Sequence, residues 1–145
     1  MGLDMFLEAE RYISFNEEEL AEAVKELFPN IPLKPTRINF EAMYWRKANQ
    51  SHQWFVDNVQ DGNDDCGSYY VSHERVTELL KLVSDTLKNK DQASDVLPPS
   101  SGFFFGSPNI DEWYWQDLEQ TKKELGTIVK LECFEKLTFH YQSSW

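Results

Sequence analysis

Polar and aromatic side chains suited to binding or catalysis are concentrated between residues 44 and 55, in the sequence YWRKANQSHQWF. His52 has the widest chemical range among them, because a histidine can act as a general base or anchor a ligand near neutral pH. A single histidine on the apolar side of an element more often donates a hydrogen bond to a backbone carbonyl. The sequence alone leaves both interpretations of His52 open.

A small enzyme is one hypothesis that this stretch supports. It would place five residues around a cleft, namely Arg46, Asn49, His52, Asp64 and Asp65. A pocket beside His52 could also take in His140, although sequence spacing does not show one. The sequence has no glycine-rich phosphate loop, no nucleophile elbow and no kinase motif. We therefore predict no catalytic residue and no cofactor, and we favour a binding protein over an enzyme.

The acidic turn at residues 61–67 matches only part of an EF-hand calcium loop. Asp61, Asn63 and Asp65 occupy the first, third and fifth positions of such a loop. Cys66 then stands where glycine makes the sharp turn, and Ser72 stands where a bidentate glutamate is expected. A solvated turn is the simpler interpretation, and the three histidines also lack the spacing of a zinc site. We predict no metal site.

The two cysteines, Cys66 and Cys133, show no CxxC spacing, which favours a reducing compartment over a disulfide scaffold. Cys66 follows Asp65, and acidic neighbours disfavour the thiolate that a nucleophile requires. The start of the sequence lacks the features of a secretory signal, and no apolar run reaches the length of a membrane span. These features predict a soluble protein of the cytoplasm.

The charge balance limits the partners. The sequence has 25 acidic and 14 basic side chains, which gives a formal net charge of −11. Such a surface repels nucleic-acid backbones and anionic lipid head groups, so we predict neither general nucleic-acid binding nor membrane binding. Three interpretations of the acid excess remain, namely solubility, a basic protein partner and mimicry of a polyanion. A mimic would need a row of carboxylates, for which the candidates are Glu8, Glu10, Glu17, Glu18, Glu19, Glu22 and Glu26.

The order of helical and strand patterns in the sequence predicts an α+β fold that positions these side chains. We expect a single domain over residues 1–145, with about four helices on a small, mostly antiparallel or mixed sheet. Residues 3–13 alternate as a strand. Asn16 is predicted to cap the next helix, with Phe15 and Leu20 as a hydrophobic staple. A helical wheel over residues 41–59 places His52 on an apolar arc and Trp54 on the opposite, polar side. Trp54 therefore either packs under the proline-rich connector or presents an aromatic surface to a partner.

The second half of the sequence follows the same alternation of elements. Ser72 is predicted to cap a helix with a stripe of valines and leucines, and residues 88–99 are predicted to form a flexible loop. The aromatic triplet at 103–105 is typical of a short buried strand. Asp111 leads into a helix on which Trp115 lies off the main apolar stripe, and a final strand carries His140.

Several motifs resemble a family of small proteins encoded by bacteriophages and prophages. They are MGLDM at residues 1–5, YWRKAN at 44–49 with the following His52 and WF pair, SGFFFG at 101–106 and YQSSW at 141–145. The resemblance covers nearly the whole chain. It implies a phage origin, a location in the cytoplasm of the bacterial host and an accessory role in the phage programme, and it implies no particular reaction.

The leading hypothesis is thus a non-enzymatic acidic binding module that engages a host protein, such as a defence or regulatory factor, or a small ligand. The enzyme is the alternative, and a homo-oligomer that uses the surplus aromatic residues stays open. The candidate binding residues are Trp45, Arg46, Asn49, His52, Trp54, Asp64, Asp65, Trp115 and His140.

Overall fold

A computed structural model describes residues 2–145, so Met1 of the first motif lies outside the described chain. Residues 2–145 form an α+β domain with five α-helices and a four-stranded antiparallel sheet, which confirms the predicted α+β class. The strands are β1 (Asp4–Tyr12), β2 (Arg37–Arg46), β3 (Ser68–Val71) and β4 (Leu137–Ser144), and the helices are α1 (Glu18–Glu26), α2 (Asn49–Asn58), α3 (His73–Lys88), α4 (Ala93–Val96) and α5 (Glu112–Ile128).

The sheet has the order β2-β1-β4-β3, so β1 and β4 form its centre. Alternate residues of β1 and β4 are buried, and the core also takes residues from β2 and from the helices α2, α3 and α5. Phe55 of α2 stacks on Tyr141 of β4 with 3.8 Å between ring centroids. Burial of a large apolar side chain of this kind contributes roughly 1.5–3 kcal/mol. The other face of the sheet carries polar and aromatic residues, among them Phe6, Tyr44 and His140.

Two sequence predictions about helix starts have different outcomes. The Ser72 cap is confirmed, because the side chain of Ser72 accepts a hydrogen bond from the Arg75 backbone N–H. The Asn16 cap is wrong, because α1 begins after Glu17 and Phe15 is 82% exposed instead of stapled to the helix. Instead, the carboxylate of Glu17 accepts hydrogen bonds from the backbone N–H and the hydroxyl of Ser14. These two bonds, together with a hydrogen bond from the Arg11 guanidinium, lower the pKa of Glu17 to about 2.

The prediction of one helix over residues 41–59 is wrong for residues 41–48. β2 continues to Arg46, and α2 begins only at Asn49. Alternation explains the difference, because Met43 and Trp45 are buried while Tyr44 and Arg46 are exposed, as a strand requires.

The buried aromatic strand predicted at 103–105 is also wrong, since these residues form a turn in which Phe103 is 96% exposed. Residues 88–99 contain α4 and a preceding 3₁₀ turn, and Ala93 and Leu97 are buried. The mobility of that segment stays a prediction. No helix of residues 2–145 is long and apolar enough to cross a membrane.

Candidate ligand-binding site

A cavity of about 750 Å³ opens where the end of β2 meets the start of α2 and the first half of α5. The turn at residues 106–111 closes its remaining side. Residues from all four segments line this cavity, including Arg46, Lys47, Gln50, Trp113 and Asp117. A concave site at the junction of several elements is where small-molecule ligands most often bind.

The cavity is lined by two basic side chains, Arg46 and Lys47, and by two carboxyl side chains, Asp111 and Asp117. Arg46 and Lys47 both line it, and within residues 2–145 neither side chain forms an ion pair. Lys47 adopts a left-handed backbone conformation, with φ of 60°, between the strand and the helix. Gly106 approaches it so closely that an added Cβ would lie 3.1 Å from the Lys47 Cβ. The junction of β2 and α2 thus brings two cations without ion pairs to the cavity, in a strongly acidic protein.

Two polar side chains form the inner wall. Gln50 is 3% exposed, and its Nε2 has no hydrogen bond of ordinary geometry within residues 2–145, although its amide lies near enough to the Asp117 carboxylate to act on it electrostatically. Asp117 lies in the same wall, where burial raises its pKa to about 6, against the opposing effect of the Gln50 amide and with a smaller contribution from the negative charge of Asp111. A buried donor without a partner normally costs about 1–3 kcal/mol, so it marks a place where a ligand or water would be stabilised.

The aromatic and amide groups around the opening add a second kind of contact. Trp113, which also lines the cavity, is 72% exposed, and the lining includes Gln116 and Gln120 of α5, whose amides donate to Glu112 and Glu124 at 3.2 Å. Tyr44 is held in place by a hydrogen bond from its hydroxyl to Asp4, and this bond raises the pKa of Tyr44. The cavity can therefore bind an anionic group, pair polar atoms and stack a flat ring.

Asn49 lines the same cavity, but its side-chain hydrogen bonds all go to the 100–107 segment. Its Nδ2 donates to the carbonyls of Phe105 and Ser107 at 3.0 and 2.9 Å. Its Oδ1 accepts from the Ser100 backbone N–H at 2.9 Å. Asn49 thus positions the wall of the cavity and has little capacity left for a ligand.

His52 is sealed in the core on the other side of α2. It is 0% exposed, and its Nδ1 lies 2.7 Å from the Tyr141 hydroxyl. Its Nε2 lies 3.0 Å from Asp64 Oδ2, and the indole N–H of Trp145 donates to the other carboxylate oxygen of Asp64 at 3.1 Å. Burial holds the pKa of Tyr141 well above its usual value, so its phenol stays protonated. The network fixes β4 to α2 and leaves His52 no free nitrogen.

The three candidate tryptophans lie in different places. Trp45 is buried and donates its indole N–H to Thr121 of α5 at 2.8 Å. Of the two outcomes predicted for Trp54, the exposed aromatic surface is wrong, because Trp54 is 7% exposed and packs edge-on against Phe55 at 5.2 Å. Trp115 is half-buried, with the ammonium of Lys90 over its ring at 4.8 Å. The three indoles therefore do not form a shared surface in the described chain.

Asp65 and His140 lie away from the cavity. Asp65 accepts hydrogen bonds from the Gly67 backbone and the Tyr69 hydroxyl, and these bonds lower its pKa. His140 lies on the uncovered face of the sheet with its ring edge against Tyr70. In the described part of the chain, no group of three or more histidine, cysteine, aspartate or glutamate side chains could hold a metal ion.

Of the candidate residues taken from the sequence, the structure brings Arg46 and Asn49 together at the cavity and places Asp64 with His52 in a separate network. The sequence did not single out Lys47, Gln50, Trp113 or Asp117 as site residues. Lys47 and Gln50 lie within the 44–55 stretch, where their polar side chains are a visible signal. Asp117 is far away in sequence, and only the packing of α5 against β2 brings it to the cavity.

Comparison of the chain with protein-family models, with curated proteins and with solved structures finds no match.

Proposed function

We propose that the protein is a non-enzymatic binding module whose cavity takes a small polar ligand with an anionic group, such as a carboxylate or phosphate. The observation that carries this proposal is the combination, within the described residues, of two cations without ion pairs at the cavity and the buried amide of Gln50 in the wall, whose Nε2 has no hydrogen bond of ordinary geometry and has only Asp117 nearby. Arg46 and Lys47 would bind the anion, Gln50 would donate to it or to an adjoining oxygen, and Trp113 would cover a flat part of the ligand.

The chemistry of the cavity wall supports binding over catalysis. Among residues 2–145, the lining of the cavity contains no histidine and no cysteine, and Asp117 is the one carboxyl there whose pKa is shown to be raised. The histidine of the enzyme hypothesis, His52, has both ring nitrogens occupied in the core. A general base must reach the proton that it removes, and His52 does not reach the cavity.

The resemblance to phage-encoded proteins extends the proposal to a setting. The protein would act as an accessory factor in the cytoplasm of an infected bacterium, where the ligand is a host or phage metabolite. A host-protein partner, including a defence or regulatory factor, stays a separate prediction, because no contact in the described chain favours a particular one.

Thermal unfolding with a defined panel tests the proposal. The panel contains inorganic phosphate, citrate, glutamate and adenosine monophosphate, each titrated from micromolar to millimolar concentration. A ligand that binds only the folded state at about one hundred times its Kd stabilises that state by roughly 2.7 kcal/mol. We expect at least one of these anions to raise the Tm with saturation, and Arg46→Gln and Gln50→Leu to abolish that increase.

Lys122→Gln is the matched control, because Lys122 is an exposed lysine of α5 outside the cavity. This variant should respond to the ligand as the parent does. A panel without any saturable increase, or an increase that Lys122→Gln removes as effectively as Arg46→Gln, would contradict the proposal.

A further inference from the structure

β2 is an edge strand, and its first half is uncovered. In the order β2-β1-β4-β3, one side of β2 pairs with β1, and no described strand lies on its other side. Arg37, Asn39, Phe40 and Glu41 are exposed, and Phe40 is 52% exposed although it is a large apolar residue. Natural proteins usually shield such an edge, because its free backbone groups pair readily with another strand.

The direction of the free backbone groups follows from the pairing with β1. The Ile13 N–H donates to the Thr36 carbonyl at 2.9 Å, in the same register that pairs Arg11 with Ile38 and Ala9 with Phe40. Backbone groups alternate in direction along a strand, so Ile38 and Phe40 also point theirs at β1. The N–H and C=O groups of Arg37, Asn39 and Glu41 therefore point away from the sheet, up to the irregularity at Leu7 and Glu8.

The charges along this edge are incompletely compensated. Glu41 lies directly opposite Glu8 in the β1–β2 register, and within residues 2–145 neither carboxylate has an ion-pair partner. Like charges directly opposite each other destabilise a sheet. Arg37, which bonds Glu10 at 3.1 Å, keeps 62% of its side chain exposed.

We propose that the β2 edge pairs with the β2 edge of a second copy of this chain, antiparallel and with the two-fold axis at Asn39. In this register each Arg37 lies opposite the Glu41 of the other copy, and each Ile38 lies opposite the other Phe40. Arg37, Asn39 and Glu41 supply the backbone hydrogen bonds, and the two four-stranded sheets join into one continuous sheet. The interface is isologous, as in most homodimers.

Neighbouring registers fit less well. Moving the axis by one residue, to Ile38 or Phe40, keeps free backbone groups opposite each other but places Arg37 opposite Asn39, or Asn39 opposite Glu41, so that both charge pairs are lost. Moving it by two, to Glu41, places the two Glu41 carboxylates opposite each other and crosses the irregularity in the strand. Only the Asn39 register combines free backbone groups, two opposite-charge pairs and two apolar pairs.

Apolar residues just before β2 enlarge the surface that a second copy could cover. Among residues of α1 and the connector that follows it, Leu27 is 74%, Phe28 is 56% and Leu33 is 66% exposed. In α1 only Ala21 is buried. A concentration of exposed apolar residues in the segment that leads into a free edge strand is typical of an interaction surface.

Charge exchange tests both the partner and the register. By sedimentation velocity or light scattering we expect the parent to show twice its chain mass of 17.1 kDa at micromolar to millimolar concentration. Arg37→Glu and Glu41→Arg should each weaken dimerisation at least tenfold, because like charges then face each other on both sides of the axis. An equimolar mixture of the two variants should restore the dimer, since position 37 of each variant then faces the opposite charge at position 41 of the other.

The exchange of an exposed ion pair on α3 serves as the control. Arg75→Glu and Glu78→Arg alter charges of the same kind away from β2, and both should dimerise as the parent does. A parent that is monomeric throughout the concentration range overturns the proposal. A dimer that both β2 variants retain, or single variants that stay monomeric when mixed although both are folded by circular dichroism, also overturns it.

A cysteine at the axis provides a second readout. Directly opposed residues of a hydrogen-bonded antiparallel pair have Cα atoms about 5.5 Å apart, within the range that a disulfide spans. In a background with the exposed Cys133 replaced by serine, Asn39→Cys should form a covalent dimer under mild oxidation. Glu41→Cys in the same background should cross-link at least tenfold more slowly, and equal rates would contradict the Asn39 register.

Discussion

Two neighbouring amides at the start of α2 have opposite surroundings. Asn49 uses both ends of its amide to hold the 100–107 segment, whereas Gln50 Nε2 has no hydrogen-bond partner in residues 2–145. A satisfied buried amide stabilises the fold, and an unsatisfied one costs free energy unless a ligand completes it. The same side-chain chemistry thus serves structure at one position and binding at the next.

Gln50→Leu is expected to leave the free energy of unfolding of the unliganded protein unchanged or to raise it by up to about 2 kcal/mol, because it removes a desolvated donor. Asn49→Leu should lower it by roughly 2–4 kcal/mol, since it leaves two carbonyls and one N–H of the 100–107 segment without partners. Urea unfolding of both variants measures the difference. Equal destabilisation by the two substitutions would contradict this assignment of roles.

Tyr141→Phe tests the sealed network of His52. The substitution keeps the ring that stacks on Phe55 and removes only the hydroxyl bonded to Nδ1 of His52. We expect a loss of about 1–3 kcal/mol in the free energy of unfolding, because a fully buried nitrogen loses its partner. Tyr70→Phe, which changes a 59% exposed tyrosine of β3, is the control and should change stability by less than about 0.5 kcal/mol.

The ionisation of Asp117 is expected to lower the free energy of unfolding as the pH rises. Its folded pKa of about 6 lies above its ordinary value of 3.8, so the folded state holds the proton more tightly. Its contribution to stability is therefore present at low pH and is lost as the pH rises through about 6. Asp117→Asn should stabilise the protein at about pH 7 by roughly 1 kcal/mol, after allowance for solvent screening, and should flatten the pH dependence between about 4 and 6.

Urea midpoints of the parent and Asp117→Asn at half-unit pH intervals measure this effect. Glu132→Gln, a substitution of an exposed carboxylate, should give a constant difference from the parent across the same range. A difference between the parent and Asp117→Asn that does not change with pH would show that Asp117 ionises normally.

At the scale of elements, the successful sequence predictions rest on helix-capping residues and on long alternating or periodic patterns of apolar residues. The α3 stripe and the β4 alternation were predictable, because each pattern is long and begins or ends at a clear signal. The junction of β2 and α2 was not, since a wheel drawn from residue 41 mixes the last residues of the strand with those of the helix. Lys47 forms that junction in a left-handed backbone conformation. Glycine or asparagine at this position would have indicated such a turn, whereas lysine does not.

Helix caps provide a matched test at this scale. Ser72→Ala should destabilise the protein by about 1 kcal/mol, because the side chain of Ser72 accepts from a backbone N–H of the first turn of α3. Asn16→Ala should change stability by less than about 0.5 kcal/mol, since Asn16 bonds only the Ser14 hydroxyl and does not cap α1. Thermal unfolding of both variants compares them, and equal losses would contradict the cap assignments.

At the scale of the molecule, the α+β class followed from the alternation of apolar periods, whereas the site required the tertiary fold. Trp113 and Asp117 reach the cavity only because α5 packs against β2, and no local pattern encodes that contact. The proposed row of carboxylates also depends on this scale. Three of its members, Glu10, Glu17 and Glu22, are paired with Arg37, Arg11 and Lys25, so the acids form a partly neutralised surface.

The central pairing of β1 with β4 predicts tolerance to circular permutation. Asp4 lies opposite Ser144, so a linker of about five residues can join the two strands across a few ångströms. A permutant opened between Asn30 and Ile31, in the exposed connector, should fold with a Tm near that of the parent. A permutant opened between Leu118 and Glu119, inside α5, should unfold at a much lower temperature. Equal Tm values for the two would contradict the pairing.

That pairing also sets an order of events during synthesis. The paired strands β1 and β2 emerge from the ribosome early, with Met5, Leu7 and Trp45 on their apolar face. The other neighbour of β1, β4, begins only at Leu137. At roughly 5–20 residues per second, translation of the intervening segment takes on the order of ten seconds. During that interval the nascent β1–β2 pair exposes both an apolar face and the unpaired edge of β1. These are the features that ribosome-associated chaperones bind, until β4 is made and pairs with β1.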